Sequence, residues 1–170
     1  MRLEQYIRSI PDFPKKGILF RDITTLLNNK KAFRFTINEL ARILKNKKIE
    51  YILAAESRGF IFGGALAYKL NCGFVPVRKP GKLPFKTYFH TYSLEYGKDS
   101  LEIHQDAFPK GARILILDDL LATGGTALAL INLAKKLEAK VVAVTFLIEL
   151  VALQGAKKLK GYPLYSLIKF

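Results

Sequence analysis

Residues Arg113–Thr126, RILILDDLLATGGT, constrain the fold more tightly than any other stretch of the chain. Ile114–Leu117 is a run of large apolar residues, the pattern of a strand buried on both faces in a parallel sheet. Asp118 and Asp119 come where such a strand should end, a short Thr/Gly turn follows, and from Ala127 to Leu137 the apolar residues fall at helical spacing. Consecutive strand residues point to opposite faces, so both carboxylates reach one ligand only where the strand has ended. The expectation is therefore a strand that stops at Leu117, an acidic edge, a glycine loop and a helix.

That arrangement narrows the ligand. Gly124 and Gly125 allow positive φ and close backbone approach, and the amides of Ala122, Thr123, Gly124, Gly125 and Thr126 open the helix at its positive end. A dianionic phosphate fits there, with Thr123 and Thr126 as hydroxyl donors. Asp118 and Asp119 accept only and would repel that phosphate, which leaves sugar hydroxyls or a hydrated cation for them. The chain has no Gly-x-x-x-x-Gly-Lys-Ser/Thr string and no Gly-x-Gly-x-x-Gly string, so the loop is neither of the two common phosphate-binding signatures.

At 170 residues the chain has the length of one domain, enough to bury roughly 70% of its extended surface. Cys72 is the single cysteine, which excludes an intrachain disulfide or a cysteine-rich metal site and fits a reducing cytosol. The longest apolar stretch, Val141–Leu153, contains Thr145 and Glu149 and is short of the ~20 residues of a spanning helix. Arg2, Glu4 and Arg8 near the start do not read as a signal peptide. A cytoplasmic protein is expected. The net charge of +14 raises nucleic acid as a partner. However, Lys45, Lys47, Lys48, Lys135, Lys136, Lys157 and Lys158 lie late in expected helices, where cations complement the macrodipole. No arginine-rich or aromatic-interleaved patch is visible, so no specific nucleic acid is expected.

Taken in order, Leu3, Tyr6, Ile7 and Ile10 predict a short helix stopped by Pro11, and the Pro/Gly-rich stretch to Thr24 predicts an irregular but packed loop. In it Phe20 is either a stacking face for an aromatic base or a core residue, beside the hydrogen-bonding fork of Arg21. A helix is expected over 31–45, a buried strand at Tyr51–Ala55, and a helix from Phe60 to Leu70. Between these last two lies Glu56-Ser57-Arg58-Gly59, polar groups at a strand's carboxyl end, with Arg58 suited to diphosphate oxygens and Gly59, Gly63 and Gly64 letting the helix lie close to the sheet. A strand at Phe74–Val77 leads into Arg78-Lys79-Pro80-Gly81-Lys82, a cationic clamp or an exposed basic turn. Alternating β pattern from Thr87 to Ile103, with a turn at Tyr96–Asp99, suggests a flap; Glu95 in it is either a proton handler or a solvated tip acid. Val141–Ile148 is a further strand, Ala152–Leu159 a short helix interrupted by Gly155, and Leu164–Ile168 a last strand. His90 and His104 lack partners at metal-binding spacing. Buried strands alternating with helices predict an α/β fold with a parallel sheet flanked by helices.

With these residues read, the chain resembles the type I phosphoribosyltransferases through Asp118–Thr126 (DDLLATGGT), and their adenine-specific branch through IRSIPDFP, GILFRDIT, ESRGFIFG, VRKPGKLP and SLEYG. The resemblance implies a single domain with a hood over residues 1–30 and a flexible flap over residues 82–104. It implies transfer of 5-phosphoribose from 5-phosphoribosyl diphosphate (PRPP) to N9 of adenine, giving AMP and diphosphate in purine salvage, with Mg²⁺ required. Ala122–Thr126 would hold the 5′-phosphate. Asp118 and Asp119 would face the ribose hydroxyls, partly through metal or water, with Mg²⁺ held mainly by PRPP. Arg58, Arg78, Lys79 and Lys82 would attend the diphosphate. Adenine would lie between Phe20 and Leu120, read by backbone near Ile18 and Phe20 with Arg21 in support, and Glu95 would manage the N9 proton. A homodimer is implied as well. The competing readings are a phosphoribosyltransferase for another purine and a PRPP-sensing regulator that binds nucleic acid.

Overall fold

The computed structural model describes residues 1–94 and 97–170. A 3-10 turn at Leu3–Tyr6 leads to β1 (Arg8–Ile10) and, after a loop, β2 (Phe20–Asp22), α1 (Thr24–Asn28) and α2 (Lys30–Leu44). There follow β3 (Tyr51–Ala55), α3 (Arg58–Leu70), β4 (Gly73–Val77), β5 (Thr87–Leu94) and β6 (Gly97–His104). The chain ends with β7 (Arg113–Leu121), α4 (Gly125–Lys136), β8 (Lys140–Glu149), 3-10 turns at Val151–Leu153 and Gly155–Leu159, and β9 (Leu164–Lys169).

Five strands form one parallel sheet in the order β4-β3-β7-β8-β9, with β7 at its centre. Strand alternation distributes the core over both faces. Ile114 and Ile116 pack with the apolar side of α4, including Leu130 and Leu133. Leu115 and Leu117 face the other way, onto Leu40 of α2 and Phe62 and Leu66 of α3. Helix α2 starts where Asn29 caps the amides of Lys31 and Ala32, and presents Ala32, Ile37, Leu40 and Leu44 at helical spacing to that second layer. The α/β architecture expected from the alternating pattern is the one observed.

Three local expectations are corrected. The N-terminal segment is not a helix to Ile10. Its apolar spacing fits one turn, after which Arg8–Ile10 pairs antiparallel with Phe20–Asp22, and the facing pair Arg8 and Asp22 closes an ion pair at 2.6 Å. Asp22 also accepts from Thr24 N at 2.9 Å and Thr24 Oγ1 at 2.8 Å, so it knots β1, β2 and the start of α1 together. Second, β7 does not stop at Leu117: pairing with β8 continues through Asp118↔Phe146, Leu120↔Ile148 and Leu121↔Glu149. Third, Gly97, Lys98 and Asp99 belong to β6 and pair with Leu94, Ser93 and Tyr92; Tyr96, also expected in the turn, lies outside the described residues.

Helix α3 lies close on the sheet at two of the three glycines expected to allow it. A Cβ on Gly63 would meet Phe74 Cε2 at 2.7 Å and Ala54 Cβ at 3.1 Å, whereas one on Gly64 would meet nothing within 4 Å. Alanine gains up to ~1 kcal/mol of helix propensity over glycine, and overpacking costs ~1–3 kcal/mol. Gly63→Ala should therefore lower Tm by about 2–4 °C and Gly64→Ala should raise it, both read by thermal unfolding. A stabilised Gly63→Ala would show that Phe74 yields freely.

Candidate active site

Loops at the carboxyl ends of β3, β4 and β7 converge on a cleft of about 610 Å³. A cavity of about 480 Å³ lies against it, and the two share Phe20, Arg58, Leu120, Ala122 and Thr123. Ligands in open α/β sheets bind at this end of the strands.

The loop after β7 forms one end of the cleft. Gly124 sits at φ +80°, a left-handed conformation natural to glycine, and opens α4 with no side-chain cap. Leu128 N donates to Gly124 O at 3.0 Å, so the amides just ahead of it have no intrahelical acceptor. Ala122, Thr123, Gly124 and Thr126 line the cleft, while Gly125, expected among them, does not. The helix begins at Gly125 rather than Ala127, which brings Thr126 into its first turn. Gly155 supports this loop from behind: a Cβ on Gly124 would lie 2.7 Å from Gly155 O, and one on Gly155 would lie 2.9 Å from Gly124 N and collide with Ala122 O. Gly155 interrupted an expected helix in the sequence; its contact with the loop is a tertiary fact that no local pattern announces.

Asp118 and Asp119 both line the cleft although they belong to the strand. Asp118 Oδ1 accepts from Asp119 N at 2.9 Å and lies where a Cβ on Gly59 would come within 2.9 Å of it, so Gly59 makes room for the carboxylate. Asp119 is 4% exposed, and its Oδ2 lies 2.8 Å from Arg58 Nε without a hydrogen-bond geometry. Burial, then the neighbouring Asp119 charge, pushes the Asp118 carboxyl well above the usual range. Burial also raises Asp119, against the pull of Arg58. Arg58 additionally places its guanidinium 5.4 Å from the Phe20 ring centroid. It thus joins the acid pair to the second cavity rather than standing alone as a free anion ligand.

The basic loop after β4 is held by two glutamates. The Glu56 carboxylate takes Arg78 Nη2 at 3.2 Å, Lys82 Nζ at 3.0 Å and the Lys79 amide. Glu102 of β6 exchanges backbone hydrogen bonds with Arg78 at 3.0 and 2.7 Å, and its Oε2 accepts from Gly81 N at 3.2 Å. Lys79 Nζ pairs with Asp99 of the same hairpin at 3.2 Å. Among the four expected diphosphate cations, Arg58 and Lys79 line the cleft, and Arg78 and Lys82 are drawn to Glu56, which does line it. Glu56, Asp99 and Tyr92, the last with its hydroxyl 3.5 Å from Thr126 Oγ1, received no role from the sequence. Glu56 was visible beside Arg58, but nothing local ties it to a loop 22 residues later. Glu95 lies outside the described residues.

The second cavity is apolar, with Ile18, Leu19, Phe20, Leu120, Leu150 and Leu153 among its walls and Arg21 at its side. Phe20 is half-buried, with Phe13 edge-on at 5.1 Å. Arg21 is committed elsewhere, to Ser9 Oγ at 2.5 Å and the Phe170 ring at 3.7 Å. The Ile18 amide donates to Lys15 O at 3.2 Å and its carbonyl accepts from Phe13 N at 3.2 Å. A carbonyl has a second lone pair for a ligand; the amide would have to leave Lys15.

A helix-opening anion cradle, a pair of acids in the middle and an apolar slot beyond them define a phosphoribosyltransferase: residues 23–164 match the phosphoribosyl transferase domain family. Adenine phosphoribosyltransferase of Brachyspira hyodysenteriae is 60% identical over the full length of both chains. The crystal structure of the Thermoanaerobacter pseudethanolicus enzyme superposes with a TM-score of 0.96 at 56% identity, covering 99% of this chain and 98% of that one. The Saccharomyces cerevisiae enzyme, crystallised with adenine and an imino-altritol bisphosphate, superposes with a TM-score of 0.91 at 41% identity, covering 97% and 96%. The chain belongs to the adenine phosphoribosyltransferase family.

The raised carboxyl of Asp118 carries a signed consequence for stability. A folded-state pKa above the unfolded value of about 3.9 means that ionisation opposes folding as pH rises through that window, and the full penalty stands above it. Asp118→Asn should raise Tm at pH 7, and the gain should vanish below about pH 4. Equal Tm values at pH 7 would show that the acid is not penalised by its surroundings.

Proposed function

We propose that the parts of this cleft divide the adenine phosphoribosyltransferase reaction among them: transfer of 5-phosphoribose from PRPP to N9 of adenine, yielding AMP and diphosphate, a step of purine salvage. The observation that carries the division is the junction of two cavities, polar and acid-floored on one side and apolar on the other, at Phe20 and Leu120. Their shared wall suits C1 of the ribose, where one bond breaks and the other forms.

The 5′-phosphate lies against Ala122–Thr126, taking loop amides and the hydroxyls of Thr123 and Thr126. Asp118 and Asp119 accept from the ribose hydroxyls. Adenine fills the apolar slot between Phe20 and Leu120, and the Ile18 and Phe20 backbone meets its edge, with Arg21 bracing β2 through Ser9. Arg58, Lys79, Arg78 and Lys82 receive the diphosphate. As the C1–O bond to diphosphate breaks, positive charge develops on the ribose ring and negative charge on the leaving group; the acids face the first and the cations the second. N9 attacks C1 from the opposite face, and its proton passes to Glu95 of the flap spanning residues 82–104. The hood, residues 1–30, supplies the base side of the slot and helps the flap exclude water, which would otherwise hydrolyse PRPP.

Mg²⁺ fits this site as a shared ion. Among the described residues no group of three or more His, Cys, Asp or Glu side chains is placed to hold a metal. Asp118 and Asp119 are two hard carboxylates lining the cleft, Asp119 Oδ2 shared with Arg58 Nε at 2.8 Å, and they suit a cation whose other ligands come from substrate and water. Asp118 and Asp119 would hold the ion, which would supply charge neutralisation for the diphosphate group. Among the described residues no helix is long and apolar enough to cross a membrane. We place the protein in the cytoplasm, as a homodimer, by likeness to its family.

A purine panel with PRPP and Mg²⁺ tests the assignment: adenine should yield AMP and diphosphate, and turnover of hypoxanthine, guanine or xanthine in its place would overturn it. The double variant Asp118→Asn/Asp119→Asn should remain folded by circular dichroism and lose at least about a hundred-fold in kcat/KM. Retained activity would remove the pair from the reaction. Glu95→Ala should lower kcat by about a hundred-fold with little change in the KM for PRPP, and an unchanged rate would return Glu95 to solvent.

A further inference from the structure

Glu56 lines the cleft with its side chain only 9% exposed, and its two oxygens are taken up by the loop that faces diphosphate in the reading above. Oε2 meets Lys82 Nζ at 3.0 Å and Arg78 Nη2 at 3.2 Å; Oε1 takes the Lys79 amide. Arg78 and Lys82 do not themselves line the cleft. The carboxylate therefore stands between the cavity and two of the cations. It offers them what a phosphoryl group offers, a pair of anionic oxygens a little over 2 Å apart.

We propose that Glu56 is a place-holding anion in the diphosphate subsite: it occupies Arg78, Lys82 and the Lys79 amide in the free protein, and diphosphate binds by exchange, taking the cations from it. This rests on the assignment of the basic loop to diphosphate. The chemistry of each partner favours the exchange. Lys82 is 48% exposed on a flexible stem with one carboxylate partner among the described residues, so it can swing between two anions at small cost. Arg78 is anchored by its backbone to Glu102 and by Nη1 to Lys82 O at 3.3 Å, so it can share its fork without moving far. Glu56 stays ionised: burial opposes this, but the Lys79 amide, Lys82 and Arg78 outweigh it and hold the carboxyl below its usual range.

Two effects of the carboxylate oppose each other. It orders the loop, which favours binding, and it adds a like charge one side chain away from a polyanion, which disfavours it. The loop has a second set of straps that do not involve Glu56, namely the backbone pair Arg78–Glu102, Gly81 N to Glu102 and Lys79 to Asp99. Ordering thus survives the loss of the Glu56 charge and the repulsion does not. The consequence is that Glu56 lowers the affinity for diphosphate and speeds its departure as a product.

The test is calorimetric binding of inorganic diphosphate, PRPP and AMP, each with Mg²⁺, to the wild-type protein, Glu56→Gln and Glu56→Ala. Expected is diphosphate bound about ten-fold more tightly by both variants, stronger product inhibition by diphosphate, and AMP affinity unchanged. Glu56→Asp, which keeps the charge, should stay near the wild type. Diphosphate affinity unchanged or weakened in variants that still bind AMP would overturn the exchange role, as would loss of AMP binding in both, which would make the carboxylate a prop of the fold. A wild-type protein that binds AMP but neither PRPP nor diphosphate would overturn the functional assignment of the loop itself.

Discussion

The contact between Arg58 and Asp119 is the constraint on which the cleft depends. Strand β7 is buried on both faces, so its end delivers Asp118 and Asp119 into a place with little water, and both carboxyls are raised by that burial. Removing a charge from water costs several kcal/mol unless a partner restores part of the loss. Arg58, at the first position of α3, supplies that partner at 2.8 Å and at the same time faces Phe20. One guanidinium therefore sets the distance between an acidic floor and an aromatic wall. Gly59 follows directly because the helix can approach Asp118 only where no Cβ intervenes.

Each of the other loops is held by something remote in sequence. The loop before α4 rests on Gly155, and the basic loop is tied to β3 through Glu56 and to the hairpin through Glu102 and Asp99. Lys79 and Asp99 both line the cleft, so a ligand that draws Lys79 away also loosens a bond between the basic loop and β6. On the proposed assignment of the loop, diphosphate occupancy and the position of the hairpin would be parts of one electrostatic arrangement. An anion bound by these cations would compete with Glu56 and Asp99 together.

Legibility in the sequence followed the range of the forces involved. Tyr51–Ala55 was readable from end to end because a doubly buried strand must be continuously apolar, and α2 because Phe33, Ile37, Leu40, Ala41 and Leu44 repeat at helical spacing. The placement of both acids and of the glycine loop, Gly125 excepted, beside a cleft was readable because polar residues follow a buried strand there. The first ten residues were misread because one turn of helical spacing looks the same whether or not a helix continues; the pairing of Arg8 with Asp22 decides it, and that pairing is made by residues fourteen apart. The end of β7 was misplaced because the charge of Asp118 and Asp119 resembles an exposed turn, whereas hydrogen bonds to β8 carry the strand on to Leu121. Glu56, Tyr92 and Gly155 were out of reach for the same reason: each acts through a contact across the fold.

The charge of the whole molecule and the charge of the cleft point in opposite directions. A net charge of +14 would draw a polyanion such as PRPP from beyond contact distance, over a range that salt limits to roughly 8–10 Å. Inside, Glu56, Asp99, Asp118 and Asp119 line the cleft, paired in part with Arg58, Arg78, Lys79 and Lys82. Had the cations alone lined the cleft, any polyanion would be held, and the diphosphate left after transfer would be held as firmly as the substrate. In the proposed binding mode, acids that must be displaced or satisfied by hydroxyls would make retention depend on the pentose between the two phosphoryl ends. On that reading discrimination would reside in the acids and attraction in the surface, which reconciles a strongly basic chain with an acid-floored cleft.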